Sequence, residues 1–353
     1  QTKPYICRIM QYKNKIRTSF TLLAILLVVL FVLDIILGTS NIPVGQIFKT
    51  LVACSGADDT TANIIFNFRL PKALTALLAG MSLSVSGLQM QTIFRNPLAD
   101  PYVLGISSGA SLGVALFLMG FSAFGGLAIV SIVQNIGTAM AAWLGAASVL
   151  MLVLAVSYKM RDIMSVLILG IMFGGAISAI VNVLQFFSSA PALKSYVIWT
   201  MGNLGGVSIN QLYIMAVVVV TGIVISLFSV KMLNALQLGD NYARSMGLNV
   251  KHARSIIFVS TSLLAGTVTA FCGPIGFIGI AVPHVARMVF KEADHRFLLP
   301  ATLFLGAIVM LLCDIISQIA KINEKALPIN TVTALLGIPI IILVIIRHQK
   351  SQS

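Results

Sequence analysis

Charge is scarce in this chain. Of 353 residues, 9% are Asp, Glu, Lys or Arg and 58% are hydrophobic. A soluble domain carries roughly a quarter of its residues charged. That deficit, with a mean hydropathy of +1.00, excludes a water-soluble globular fold. Cysteine is scarce as well: Cys7, Cys54, Cys272 and Cys313 include no close pair, which argues against a disulfide framework and a metal site. No GK[ST] phosphate loop is present, and no serine has a His/Asp partner placed near it, so nothing in the chain reads as a nucleotide or hydrolase site. Carboxylates are nearly absent from the apolar runs. Asp34 and Asp314 are the two that occur there, both close to run ends. Carriers coupled to protons or sodium usually hold an ionisable group near mid-bundle. The lack of one points to energy arriving from outside this chain, with an ion-gradient-driven secondary transporter as the alternative.

The apolar runs themselves lie at about 19–37, 71–93, 102–120, 127–156, 163–187, 210–230, 254–272, 275–290, 299–320 and 329–346. Each is near the ~20 residues needed to cross a bilayer. The sequence therefore predicts an all-α integral membrane protein, one bundle of about ten transmembrane helices forming a single domain over 1–353. The first run is long for a leader core and reads as a true span. Basic residues set the direction. With both termini cytoplasmic, 17 of the 23 Lys and Arg fall on the inner side and 6 on the outer, the bias expected of cytoplasmic loops. Residues 1–18 and 231–253 are then cytoplasmic, and 38–68 external. The net charge of +13 is dispersed between spans with no continuous basic face, which argues against nucleic acid as a partner.

Three motifs interrupt the apolar pattern. Gly105, Gly109 and Gly113 in LGISSGASLG repeat every four residues and predict a smooth helix face for close packing. FRNPLADP (94–101) is a polar break, with Pro97 and Pro101 disfavouring helix at Asn96 and Asp100. GPIGFIGIAVPHVAR (273–287) carries three glycines and two prolines in one short run, which breaks or kinks a membrane helix; its His284 reads as a capping or hydrogen-bonding group. The stretch 191–209 is glycine-rich and too short to cross, and is expected to be re-entrant or interfacial. In KMLNALQLGDNYARSMGLNVKHA (231–253), glycines at 239 and 247 predict two short helices joined by a turn.

Taken in order, FRLPKALTALLAGMSLSVSGLQMQTIFRNPLADPYVLGISSGA (68–110), LGDNYARSMGL (238–248), GPIGFIGIAVPHVAR, DHRFLLPATLFLGA (294–307) and LPINTVTALLGIPI (327–340) resemble the FecCD family. These are permease subunits of type II ABC importers for iron–siderophore complexes, haem and cobalamin. The resemblance implies a homodimer in a bacterial inner membrane. It also implies two ATPase subunits below, which bind ATP and Mg so that this chain needs no cofactor, and a solute-binding protein above. It places ATPase coupling on Leu238, Gly239, Asp240, Ala243, Arg244, Gly247 and Leu248. It places binding-protein docking on Arg69 and Lys72, with Lys321 and Lys325 as substitutes for a family arginine that is Gln318 here. The cytoplasmic gate is expected at Asn96, Pro97, Leu98, Ile163 and Met164, and polar lining of the solute path at Ser178, Asn182 and Gln185. Ala326 and Asn330 also depart from the family pattern.

Overall fold

In a computed structural model the structure describes residues 3–38, 42–53, 59–120, 131–157, 160, 163–320 and 326–350. Among them every regular element is helical. Helix α1 (Lys3–Ile36) precedes two short helices, α2 (Val44–Ala53) and α3 (Asp59–Ile64). A π-turn (Ile65–Arg69) then runs into α4 (Leu70–Ile93). A 3-10 turn (Pro101–Leu104) leads to α5 (Ile106–Ala115), extended by a π-turn (Leu116–Gly120). Then come α6 (Ser131–Ser157), α7 (Ile163–Phe186), α8 (Ala190–Thr200), α9 (Ile209–Phe228), α10 (Val230–Gln237) and α11 (Asp240–Ser245). The chain closes with α12 (Val250–Cys272), α13 (Ile278–Phe290), α14 (His295–Ile319) and α15 (Ile329–Lys350).

Seven helical stretches among the described residues are long and apolar enough to cross a membrane, and those at 106–120, 278–290 and 329–343 are apolar but shorter. Together they fall on the ten apolar runs. The run expected at 275–290 becomes helical only at Ile278, after a non-helical GPIG. The ambiguous stretch 191–209 is α8 plus a turn. It is tied down rather than free: the Tyr196 hydroxyl bonds Ser111 and Gln185, and the Asn203 N–H donates to the Cys272 carbonyl at 2.8 Å.

Helix α4 is the axis of the bundle. Of its 24 residues 18 are buried, and it touches α1, α9, α10, α12, α13 and α14. Its sequence explains both facts. Gly80 and Gly87 remove the side chains that would hold neighbours away. A Cβ on Gly80 would overlap the Gly306 carbonyl of α14, and one on Gly87 the Gly279 carbonyl of α13. Such small-residue contacts let membrane helices approach and gain dispersion where no hydrophobic force separates them from lipid. The Gly109 and Gly113 stripe does the same between α5 and α6, meeting Gly145, Ala141 and Val149.

Most polar groups buried in α4 are matched, Ser82 Oγ being the exception. Gln89 Nε2 donates to Ser226 Oγ at 2.9 Å and Ser260 Oγ at 3.1 Å, and Thr261 Oγ1 donates to Gln89 Oε1 at 2.8 Å. Three helices are thereby joined by one amide that has no water to turn to. Helices α1, α6, α7 and α9 instead expose Leu, Ile, Val and Met over much of their length, as a lipid-facing helix does. On one end of the bundle α2 lies as an amphipathic piece, with Ile47 and Thr50 buried and Val44 exposed.

The close approach of α4 to α14 gives a direct test. Gly80→Ala is expected to destabilise the purified protein in detergent by about 1–3 kcal/mol through overpacking. Gly45→Ala, with open space around it, is expected to be neutral or stabilising by up to about 1 kcal/mol. Thermal unfolding of the two variants beside the parent chain checks the contrast.

Candidate functional site

The segment 231–253 folds as α10, a two-residue break, α11 and the start of α12. Both glycines are conformationally required. Gly239 has φ +112°, open to glycine alone, and Gly247 has φ +82°. Gly247 closes α11 in a Schellman arrangement: its N–H bonds Arg244 O, and the Leu248 N–H bonds Ala243 O. Ala243 is fully buried and seats the short helix on the bundle. Asp240 pairs with Arg254 of α12. The helix thus turns Leu238, Tyr242 and Met246 outward, each about half or more exposed. Arg244 is exposed and Leu248 half-buried. The two short helices expected from the sequence are present, and the seven coupling candidates form one compact unit.

Beside this unit stands the FRNPLADP turn. The Arg95 guanidinium lies next to Gly239. Asn96 folds the turn by accepting the Leu98 N–H at 2.9 Å. His284 of α13 has Nε2 2.9 Å from the Pro97 carbonyl; a carbonyl only accepts, so Nε2 carries the proton. The hydrogen-bonding role expected for His284 is what the geometry shows. Leu98 is 41% exposed. Asp100 then caps the 3-10 turn, accepting the Tyr102 N–H at 2.8 Å. Its carboxyl, outside the spans, is pushed up to about 6 by burial, with the Tyr102 N–H working against that shift. The 3-10 turn packs on α7, where Gly170 admits the Val103 carbonyl. Ile163 and Met164 begin that same helix, Ile163 buried and Met164 exposed.

GPIG crosses from α12 to α13 without regular structure, and its donors are met by side chains. The Ile275 N–H donates to the Tyr102 hydroxyl at 3.2 Å and the Gly276 N–H to Asn330 Oδ1 at 3.1 Å. Asn330 therefore has a defined task at this break. Phe277 is held at φ +71°, a strained conformation for a bulky residue, with its side chain against Gly337 of α15.

At the far end of the bundle the two docking candidates among the described residues, Arg69 and Lys72, are not free cations. Arg69 is 8% exposed. It emerges from the π-turn into the end of α1, where Nη1 donates to the Ile35 carbonyl at 3.0 Å and the Ile36 carbonyl at 2.9 Å. Lys72 pairs with Asp314 at 2.9 Å and keeps 22% of its side chain exposed. Gln318 Nε2 donates to Asp314 Oδ2 at 2.9 Å and to Asp34 Oδ1 at 2.8 Å. The two carboxylates of the apolar runs, 280 residues apart in sequence, are thus brought together across one amide. Lys321 and Lys325 lie outside the described residues. Lys72 and Asp314 also line a cleft of about 280 Å³ with Asn203, Ser317, Ala326 and Leu327.

Ser178, Asn182 and Gln185 share one face of α7. Ser178 and Asn182 are exposed, while Ile177 and Val181 on the adjacent face are buried. Gln185 is half-buried and bonded to Tyr196. Gln89, Gln91, Thr92, Asn234, Arg287 and His295 stand out in the structure and not in the sequence, all held in hydrogen bonds at or near the ends of helices. Gln91 Nε2 donates to the Ile280 carbonyl at 3.2 Å, and Arg287 Nη1 donates to Gln91 Oε1 at 2.6 Å. The available signal was the run of Ser, Gln and Thr inside an otherwise apolar span at 82–92. No group of His, Cys, Asp and Glu suited to a metal occurs among the described residues.

A helical bundle with lipid-facing flanks, a polar central helix and a structured helix–turn–helix at one end defines a multi-pass membrane permease. The chain belongs to the FecCD transport family, whose model matches residues 26–347. It is 35% identical over 335 residues to the hemin transport system permease protein HmuU of Yersinia pestis, covering 94% of this chain and 97% of that one. It is 35% identical over 287 residues to the vitamin B12 import system permease protein BtuC of Salmonella arizonae, covering 81% and 84%. A solved structure, an inward-facing conformation of a transporter of the metal-chelate ABC type, superposes with a TM-score of 0.80 at 30% identity. That match covers 94% of this chain and 99% of the other. The chain is accordingly a membrane-spanning permease subunit of an ABC importer.

The far-end cluster yields a charge-balance prediction. Asp34 and Asp314 are both nearly fully buried and face one ammonium. Removing that ammonium with Lys72→Met is expected to destabilise the protein by about 1–3 kcal/mol, below the full cost for a fully buried pair because Lys72 is partly exposed. Asp34→Asn alone is expected to leave stability unchanged or raise it. Thermal unfolding of the single and double variants in detergent measures both.

Proposed function

We propose that two copies of this chain form the transmembrane pathway of an importer for a bulky metal chelate, haem first among the candidates. Each copy contributes ten spans as one permease domain, with both termini, 1–18 and 231–253 in the cytoplasm of a bacterium and 38–68 outside its inner membrane. The distribution of 17 basic residues inside against 6 outside supports that direction. The haem preference rests on the hemin permease, which matches at near-full length on both chains; the vitamin B12 permease keeps cobalamin as a second candidate beside ferric siderophores.

The observation that carries the energy source is α11. A short helix anchored by Ala243 and the Asp240–Arg254 pair, yet presenting Leu238, Tyr242 and Met246 to solvent, has the form of a segment that seats in a partner's groove. That partner is an ATPase subunit, two per dimer, which binds ATP and Mg, so the permease itself is no enzyme and carries no cofactor. ATP-driven closure moves the coupling segment and shifts the permease between two conformations. Asn96, Pro97, Leu98, Ile163 and Met164 form the inner gate. Ser178, Asn182 and Gln185 face the path on the dimer axis, which accounts for polar side chains on the outward face of an apolar helix. A solute-binding protein docks at the outer end, where Lys72 reaches solvent and Arg69 stands near it, with Lys321 and Lys325 as the remaining docking candidates of the sequence.

Reconstitution in proteoliposomes tests the reading. Uptake of haem or cobalamin is expected only with the ATPase, ATP and the binding protein together. Uptake by the permease alone down an ion gradient would establish the secondary-carrier alternative. Gly247→Val and Asp240→Asn should leave the protein in the membrane and lower ATP-driven uptake about tenfold, the size of a typical coupling free energy between sites.

A further inference from the structure

Three residues from separate parts of the chain meet at the end of the bundle that carries 231–253. Thr92 lies in the last turn of α4, just ahead of the FRNPL turn. Asn234 lies in α10, four residues before Leu238. His295 opens α14 and is 1% exposed. The imidazole joins the other two: Nε2 is 2.8 Å from Thr92 Oγ1, and Nδ1 is 2.7 Å from Asn234 Oδ1. The Asn234 amide is oriented from both sides. Its Nδ2 donates to Asp294 Oδ1 at 2.7 Å, and its Oδ1 accepts the His295 backbone N–H at 2.9 Å. An oxygen so oriented accepts, so Nδ1 of His295 is the donor.

We propose that Thr92, His295 and Asn234 form a transmission clamp, positioning residues that carry displacement of the coupling segment to the FRNPL turn. The proposal rests on the reading of 238–248 as the ATPase contact. Only Leu238 and Gly239 separate α10 from α11, so a push on α11 acts on α10 within two residues. From Asn234 a planar ring bonded at both nitrogens reaches α4. Buried hydrogen bonds are costly to leave unmade, so the ring holds the two helices at a fixed separation, and such networks carry coupling between sites. In the neighbouring Arg95–Gly239 approach the glycine is buried but Arg95 is exposed, so water competes for its guanidinium. Beside Thr92, the Gln91–Arg287 bond fixes the same turn to α13, and His284 fixes the far side of the FRNPL turn to that helix. Movement delivered at Thr92 therefore reaches a turn held on one helix.

The test uses Leu98→Cys, in a chain whose four native cysteines are replaced by alanine, assembled with the ATPase in lipid nanodiscs. The readout is the rate of labelling by a membrane-impermeant maleimide, with and without vanadate-trapped ATP. Trapping is expected to change the rate in the parent. Thr92→Val and Asn234→Leu are expected to collapse that ratio to about one, the value for uncoupled sites, with the ATPase still co-purifying. Thr92→Ser, which retains the hydroxyl, is expected to keep the parent ratio. Parent-like ratios in Thr92→Val and Asn234→Leu would overturn the clamp, as would a Thr92→Ser variant that behaves like Thr92→Val. A parent chain whose labelling ignores trapped ATP would instead remove the coupling and gate assignment, and the clamp with it, which separates the two failures.

Discussion

A polar group at membrane depth has no water to bond, and the whole architecture follows from how α4 meets that constraint. This helix carries Ser, Thr and Gln side chains through most of its length and is the most enclosed of the long helices. An apolar helix could have faced lipid. One bearing Gln89, Gln91 and Thr92 must be surrounded by partners, and Ser226, Ser260, Thr261, the Ile280 carbonyl and His295 are those partners. Glycine makes the enclosure possible. Gly80 and Gly87 let α14 and α13 approach until backbone meets backbone, and only at that distance do the short side chains reach across.

The same constraint explains the irregular segments. The GPIG break would leave backbone donors unsatisfied in lipid. Tyr102 and Asn330 satisfy two of them from elements distant in sequence. At the other end of the bundle the guanidinium of Arg69 takes up the last carbonyls of α1, which a helix ending near hydrocarbon cannot leave bare. Lys72 and Gln318 together hold two carboxyls. Irregular backbone and charge are thus placed where another part of the chain can answer them, and these are also the ends where a transporter has to meet its partners.

Rigidity is distributed unevenly in consequence. The FRNPL turn is fixed to α13 by His284, and the end of α4 just ahead of it to α14 by Thr92 and His295. The helix α11 is seated by one alanine and one ion pair and shows its apolar side chains to solvent. A contact surface standing on a stiff scaffold is suited to passing on motion that originates elsewhere.

The membrane class, the positions of the apolar runs and the family were legible in the sequence, because hydropathy and short motifs are local properties of the chain. The sequence also located the two glycines that shape α11, since a φ of +112° or +82° is a demand that glycine meets without help. Local pattern could not show that Asp34 and Asp314 meet across Gln318, that Arg69 turns inward, or that Asn330 completes the GPIG break. Each of those pairs is separated by tens to hundreds of residues. Only the packing of α4 against its neighbours, where glycine contacts set the helix separations, decides which distant side chains come within hydrogen-bonding reach.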